Sequence, residues 1–220
     1  MIIVIEGSDQ AGKKTQTALL AAALKKSKIK TTTFSFPDYT TPLGKEINRF
    51  LHGKRKFPSQ VIHCLLAANR WEKLQEIKAA QEQNSVIIMN RYYQSNLVYG
   101  VANKMSLSWL EGLDAGLPKA DLVIVLDVSQ KESFSRKKQN RDKFEKNAHF
   151  LQTISTTYRK LAKKYHIQRV CLSLSPLAFP IWLIEQNLSV VTKNKLIPWI
   201  ALAGMDEAII DTAKEIGLGK

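Results

Sequence analysis

Met1-Ile2-Ile3-Val4-Ile5-Glu6-Gly7-Ser8-Asp9-Gln10-Ala11-Gly12-Lys13-Lys14-Thr15-Gln16 opens the chain, and its reading decides the fold. The run Ile2-Ile3-Val4-Ile5 is unbroken and β-branched, the pattern of a strand buried on both faces. Gly7 and Gly12 frame G-x-x-x-x-G, with Lys13 directly after. From Thr15 onward, apolar residues recur at helical spacing (Leu19, Leu20, Ala23, Leu24). Strand, glycine loop, lysine and helix in this order are the context of a phosphate-binding loop. Glycines let the backbone turn so that its N–H groups face one hollow. The helix start adds unpaired N–H groups and the positive end of its dipole. Lys13 is placed to reach terminal phosphates. The hydroxyl residue that often follows the lysine as a magnesium ligand is replaced by Lys14, and Thr15 sits one residue on.

A chain of 220 residues is most simply one domain, 1–220, long enough for a sizeable core. Hydrophobic residues at 45% and charged residues at 24% fit a globular protein and exclude a disordered one. Cys64 and Cys171 form no metal or redox spacing, and their apolar neighbours read as packed surroundings for reduced thiols. The opening residues are taken up by the loop, so no removable leader is expected. Residues 181–203 are broken by Glu185, Lys193 and Lys195, so no bilayer span is expected and a cytoplasmic location is. The net charge of +14 calls for polyanionic partners. Its lysines are spread over helices rather than gathered with aromatics, which favours nucleotide phosphates over nucleic acid.

Further along, helix is expected over 17–28, a second strand over 30–36 and a helix from Thr41-Pro42-Leu43-Gly44 to about Leu51. One long helix is expected over 58–81, with Ile62, Leu65, Leu66 and Trp71 among its apolar positions. A buried strand over 85–89 ends in Asn90-Arg91-Tyr92, where ligands bind in open parallel sheets. A short helix over 106–112, a loop at Gly116-Leu117-Pro118 and a strand over 122–126 follow. Basic helix is read over 131–139 and 140–164 with a break near Arg141-Asp142, then a fifth strand over 168–174 and a last helix over 206–216. Alternating strands and helices imply a three-layer, doubly wound α/β domain with a parallel five-stranded sheet.

Several strings resemble the thymidylate kinase family, P-loop nucleoside monophosphate kinases. The loop from Glu6 to Gln16 looks like that family's phosphate loop, and Phe36-Pro37-Asp38-Tyr39 resembles its Phe-Pro motif. Ala68-Asn69-Arg70-Trp71-Glu72 resembles its Ala-Asn-Arg-Trp-Glu segment, and Asn90-Arg91-Tyr92-Tyr93-Gln94-Ser95-Asn96-Leu97-Val98-Tyr99 its Asp-Arg-Tyr-x-x-Ser-x-x-Ala-Tyr motif. Gly116-Leu117-Pro118-Lys119-Ala120-Asp121 and Arg141-Asp142-Lys143-Phe144-Glu145 resemble its Gly-Leu-Pro-Lys-Pro-Asp and lid-side motifs. The resemblance covers about 1–165; the tail over 167–220 diverges from the family's usual ending.

The resemblance implies a helical lid and transfer of the ATP γ-phosphoryl group to dTMP, giving dTDP and ADP, with Mg²⁺ and usually in a homodimer. It implies catalytic roles for Lys13, Arg91 and a lid cation such as Arg141. It implies ATP contacts from Gly7, Ser8, Asp9, Gln10, Ala11, Gly12, Lys13, Lys14, Thr15 and Arg136. For the acceptor it implies Asp9, Phe36, Tyr39, Leu66, Arg70, Arg91, Ser95, Asn96, Tyr99 and Phe144, with Arg70 and Asn96 at the thymine and Tyr99 under the deoxyribose. Asp9 and Glu145 are the implied metal carboxylates. Four positions depart from the pattern: Asn90 replaces an aspartate, Lys14 a hydroxyl residue, Leu66 a stacking phenylalanine and Gln10 a loop arginine present in some members. Two other readings stay open: a nucleoside monophosphate kinase of altered base specificity, and a weakly active nucleotide-binding regulatory protein.

Overall fold

The structure is a computed structural model, and it describes residues 1–127, 148–164 and 168–171. Its sheet has five parallel strands: β1 (Ile2–Gly7), β2 (Thr31–Ser35), β3 (Val86–Asn90), β4 (Leu122–Asp127) and β5 (Gln168–Cys171). Their order in space is β2-β3-β1-β4-β5, so β1 lies at the centre with β3 and β4 on either side. The helices are α1 (Lys13–Lys26), α2 (Pro42–Leu51), α3 (Ser59–Trp71), α4 (Leu74–Glu82), α5 (Tyr93–Ala102), α6 (Leu107–Leu113) and α7 (Ala148–Lys164). The chain leaves β1 toward one side of the sheet and returns on the other, which opens a crevice at the C-terminal ends of β1, β3 and β4.

Alternation along β1 divides the core. Ile3 and Ile5 pack with Leu20 and Leu24 of α1 and with Ile88, Ile124 and Leu126. Ile2 and Val4 face the other layer with Ile77 and Ala80 of α4 and with Ile87, Met89 and Tyr92. Helices α5 and α7 meet through Val98, Tyr99, Ile154 and Tyr158, and α2 meets α3 through Ile47, Phe50 and Ile62.

Two expectations are corrected. The long helix over 58–81 is two helices, broken at Glu72 and Lys73. Asn69 and Arg70 point into the protein to bond Asp38 and Asp114, and Trp71 Nε1 donates to Leu113 O at 2.9 Å. The bend after them lets α4 lay Ile77 and Ala80 on the sheet. No glycine or proline marks this bend. The second correction concerns Cys64, which is exposed although its chain neighbours Ile62 and His63 are buried. Elsewhere the differences are boundary shifts: α1 starts at Lys13 rather than 17, directly after Gly12 in the left-handed region (φ 88°). Helix α5 was not expected as a separate element. The basic helix over 131–139, the lid, the last helix over 206–216, and the side chain of Cys171 lie outside the described residues.

Candidate active site

The site begins with a carboxylate in an apolar strand. Glu6 of β1 is fully buried. Its Oε1 accepts from the backbone N–H groups of Tyr92 and Ser95 at 2.9 and 3.1 Å. Its Oε2 accepts from Ser95 Oγ at 2.6 Å and Tyr158 Oη at 2.8 Å. Buried carboxylates are tolerated only when paired in this way. Glu6 thereby supplies the N-terminal cap that Tyr92, at the start of α5, does not. It also fixes the turn between β3 and α5, where Arg91 takes φ 65°. That left-handed backbone costs on the order of 1–3 kcal/mol and persists because the surrounding bonds over-determine it.

The turn aims Arg91 back over the glycine loop. Nη1 donates to Ser95 Oγ at 2.9 Å, Nη2 pairs with Asp9 Oδ1, and the guanidinium lies 5.5 Å from the Tyr99 ring centroid. Tyr99 Oη donates to the other Asp9 oxygen at 2.7 Å. Burial alone would raise the Asp9 carboxyl, but the Arg91 and Lys13 charges and the Tyr99 hydrogen bond outweigh it and hold it below the usual carboxylate value. Burial raises the Tyr99 hydroxyl, and the Asp9 charge adds to it, so this phenol stays protonated and donates.

Lys13 Nζ donates to Gly7 O at 3.1 Å and Ser8 O at 2.7 Å, which keeps the ammonium over the loop. Residues 9–16 line one cleft together with Ser35, Asn90 and Arg91. Asn90 Nδ2 donates to Ser35 Oγ at 2.8 Å, and its buried Oδ1 has no hydrogen-bond partner among the described residues. A second pocket has apolar walls from Phe36, Ile47, Ile62 and Leu66 and polar groups from Arg70, Ser95, Asn96 and Tyr99. The two hollows share Asp9, Phe36, Pro37, Tyr39 and Arg91. Arg70 is held by a bidentate pair: Nε and Nη2 each donate to Asp114 at 2.8 Å, with both residues buried. Arg70 also lines the second pocket.

Asp9, Phe36, Tyr39, Leu66, Arg70, Arg91, Ser95, Asn96 and Tyr99 thus line one pocket. Gln10, Ala11, Gly12, Lys13, Lys14 and Thr15 line the cleft beside it, while Gly7 and Ser8 supply the carbonyls under Lys13. Phe36 is also core, 5% exposed and stacked on Phe34. Arg136, Arg141, Phe144 and Glu145 lie outside the described residues. Among the described residues no three His, Cys, Asp or Glu side chains gather as a metal-binding group. No described helix is long and apolar enough to cross a membrane. Sequence reasoning missed Glu6, His63, Asp114 and Tyr158 as site-building residues. A carboxylate inside Ile2–Gly7 was a readable signal for the first; the others carry none.

The fold and site define a P-loop protein whose second pocket opens against the loop. The family model for thymidylate kinase matches residues 5–177. The chain is 35% identical to thymidylate kinase of Schizosaccharomyces pombe over 74% of its length and 78% of the relative's. It is 33% identical to that of Danio rerio, covering 73% and 76% of the two chains, and 33% identical to the human one, covering 67% and 70%. The solved thymidylate kinase of Candida albicans superposes with a TM-score of 0.76 at 29% identity, covering 88% of this chain and 92% of that one. The chain belongs to the thymidylate kinase family.

Proposed function

We propose that the protein phosphorylates dTMP to dTDP with ATP as donor, through the two hollows that meet at Asp9 and Arg91. That junction is the observation that carries the reading. A donor cleft on the glycine loop and an acceptor pocket share one arginine and one carboxylate. An oxygen of the dTMP phosphate would attack the γ-phosphorus. The bond to the β–γ bridging oxygen would break and its electron pair would leave with ADP. A phosphate nucleophile carries no proton that a base must take, so positioning and charge neutralisation do the work. Lys13 and the loop N–H groups would hold the donor phosphates. Arg91 would exchange Asp9 for oxygens of the acceptor and transferring phosphates, which suit its planar fork. Tyr99 would floor the deoxyribose, and Phe36, Tyr39 and Leu66 would wall the base, with Arg70 at its edge.

Among the described residues Asp9 is the carboxylate that lines the donor cleft, and both its oxygens are already bonded by Arg91 and Tyr99. That donor set fits a Mg²⁺ held mainly by nucleotide phosphates, with Asp9 and Glu145 as its protein side. Bound there, the ion supplies charge neutralisation. A single folding unit over 1–220, a cytoplasmic location, a homodimer and a lid cation such as Arg141 or Arg136 belong to the same proposal. Lys13→Ala tests the donor site: kcat should fall at least about a hundredfold, because the interaction strengthens as charge develops, with a smaller loss of ATP affinity. Near-normal turnover in that variant would overturn the assignment of the loop as donor site.

A further inference from the structure

Helices α3 and α5 form one side of the acceptor pocket, and a hydrogen-bonded side-chain pair joins them inside the protein. His63 of α3 is fully buried, and Asn96 of α5, 2% exposed, lines the pocket. His63 Nδ1 lies 2.6 Å from Asn96 Oδ1, and Asn96 Nδ2 donates to the His63 backbone carbonyl at 3.3 Å. A carbonyl oxygen only accepts, so Nδ2 has to face it. Oδ1 then faces the ring, and the ring proton has to be on Nδ1. The backbone therefore settles the amide orientation, and the amide settles the imidazole tautomer. Nε2 is left with a lone pair, buried and without a partner among the described residues. Burial lowers the His63 pKa, opposed by the Asn96 hydrogen bond and helped by the Arg70 charge, so the ring is neutral.

We propose that His63 is a specificity-positioning residue, which consumes the Asn96 amide oxygen and leaves that side chain a hydrogen-bond donor toward the acceptor base. The proposal rests on the reading that this pocket takes dTMP. With Oδ1 bound, the amide has only its second Nδ2–H to offer. Arg70, gripped by Asp114 through Nε and Nη2, has only donors as well. Two fixed donors at the base edge call for keto oxygens. Thymine and uracil carry two, flanking N3–H. Cytosine replaces one with an amino group, which sets donor against donor and leaves buried polar groups unpaired. Without the His63 N–H the amide is free to turn and present its oxygen, and that rejection weakens.

The experiment compares the intact protein with His63→Leu and His63→Asn, using dTMP and dCMP as acceptors. Asparagine places an N–H close to where the ring Nδ1–H was. Losing one oriented hydrogen bond is a change of about tenfold, so His63→Leu should raise KM for dTMP by about that factor with kcat within about twofold. The ratio of kcat/KM for dTMP over dCMP should narrow in His63→Leu and recover in His63→Asn. An unchanged ratio, an equal loss of kcat with both acceptors, or a ratio that widens in His63→Leu would overturn the proposal. Nitrogen NMR of the unmodified protein gives a second readout that needs no variant to fold. The proton should be on Nδ1 of His63, and a proton on Nε2 would overturn the proposal. Absence of dTMP phosphorylation by the intact protein, with the tautomer as inferred, would overturn the functional reading and with it the specificity role, leaving only the pairing.

Discussion

Arg91 at the end of β3 pairs with Asp9 of the glycine loop, while Tyr99 closes on the other oxygen of the same carboxylate at 2.7 Å. The guanidinium is therefore held where the donor and acceptor hollows meet. A phosphate entering there replaces one anion with another, so the charge of Arg91 is never left bare. Arg91→Lys keeps the charge and loses the fork. Steady-state kinetics with dTMP should show kcat/KM reduced by about a hundredfold or more, as for removal of an oriented transition-state donor.

The Arg70–Asp114 pair joins α3 to the end of α6 with both side chains buried. Asp114→Ala would strand the Arg70 charge, at a cost of about 3–5 kcal/mol in urea unfolding. Arg70→Met combined with Asp114→Leu should cost much less, because no charge is stranded. The double variant should nevertheless lose dTMP affinity along with the reading fork. Equal destabilisation by both changes would contradict this.

His63 supplies a pH dependence of stability. Its pKa is lowered in the folded protein from an ordinary value of 6.5, chiefly by burial, with the Arg70 charge on its own helix acting the same way against the Asn96 bond from α5. As pH falls below 6.5, the unfolded chain takes up the proton before the folded one does. Stability is lost with a slope of at most about 1.4 kcal/mol per pH unit, until the lower folded value is reached. Denaturant unfolding from pH 7 downward should show this slope, and His63→Asn should remove it.

Asn90 stands in the donor cleft with an oxygen that has no partner among the described residues, where a carboxylate would add negative charge. Asn90→Asp should lower the Mg²⁺ concentration needed for half-maximal rate, or raise kcat, at saturating ATP and dTMP. An unchanged magnesium titration would assign Asn90 to the Ser35 hydrogen bond alone.

Much of the fold was legible because its signals are local. The β-branched run of β1, the glycine spacing and the residues after β3 each carry their own physics. The bend between α3 and α4 was not, because it follows from tertiary bonds made by Asn69, Arg70 and Trp71 and has no helix-breaking residue. The pocket residues came from motif resemblance, and the structure brings the described ones together. Their supports came from neither source. Asp114 and Tyr158 lie 44 and 152 positions from the residues they bond, and such pairings leave no periodicity in a single sequence. Exposure of Cys64 shows the same limit, since apolar neighbours along the chain do not reveal which face of a helix is covered.

The measurement that bears most directly on the whole account is a coupled assay of ATP consumption over a panel of monophosphates, reported as kcat/KM for each. The expected order is dTMP best, dUMP poorer and UMP much poorer still, because Tyr99, held by its hydrogen bond to Asp9, would lie beneath the sugar in the proposed complex and would leave no room for a 2′-hydroxyl. A preference for UMP, CMP or AMP, or ATP binding with no phosphoryl transfer to any of them, would contradict it.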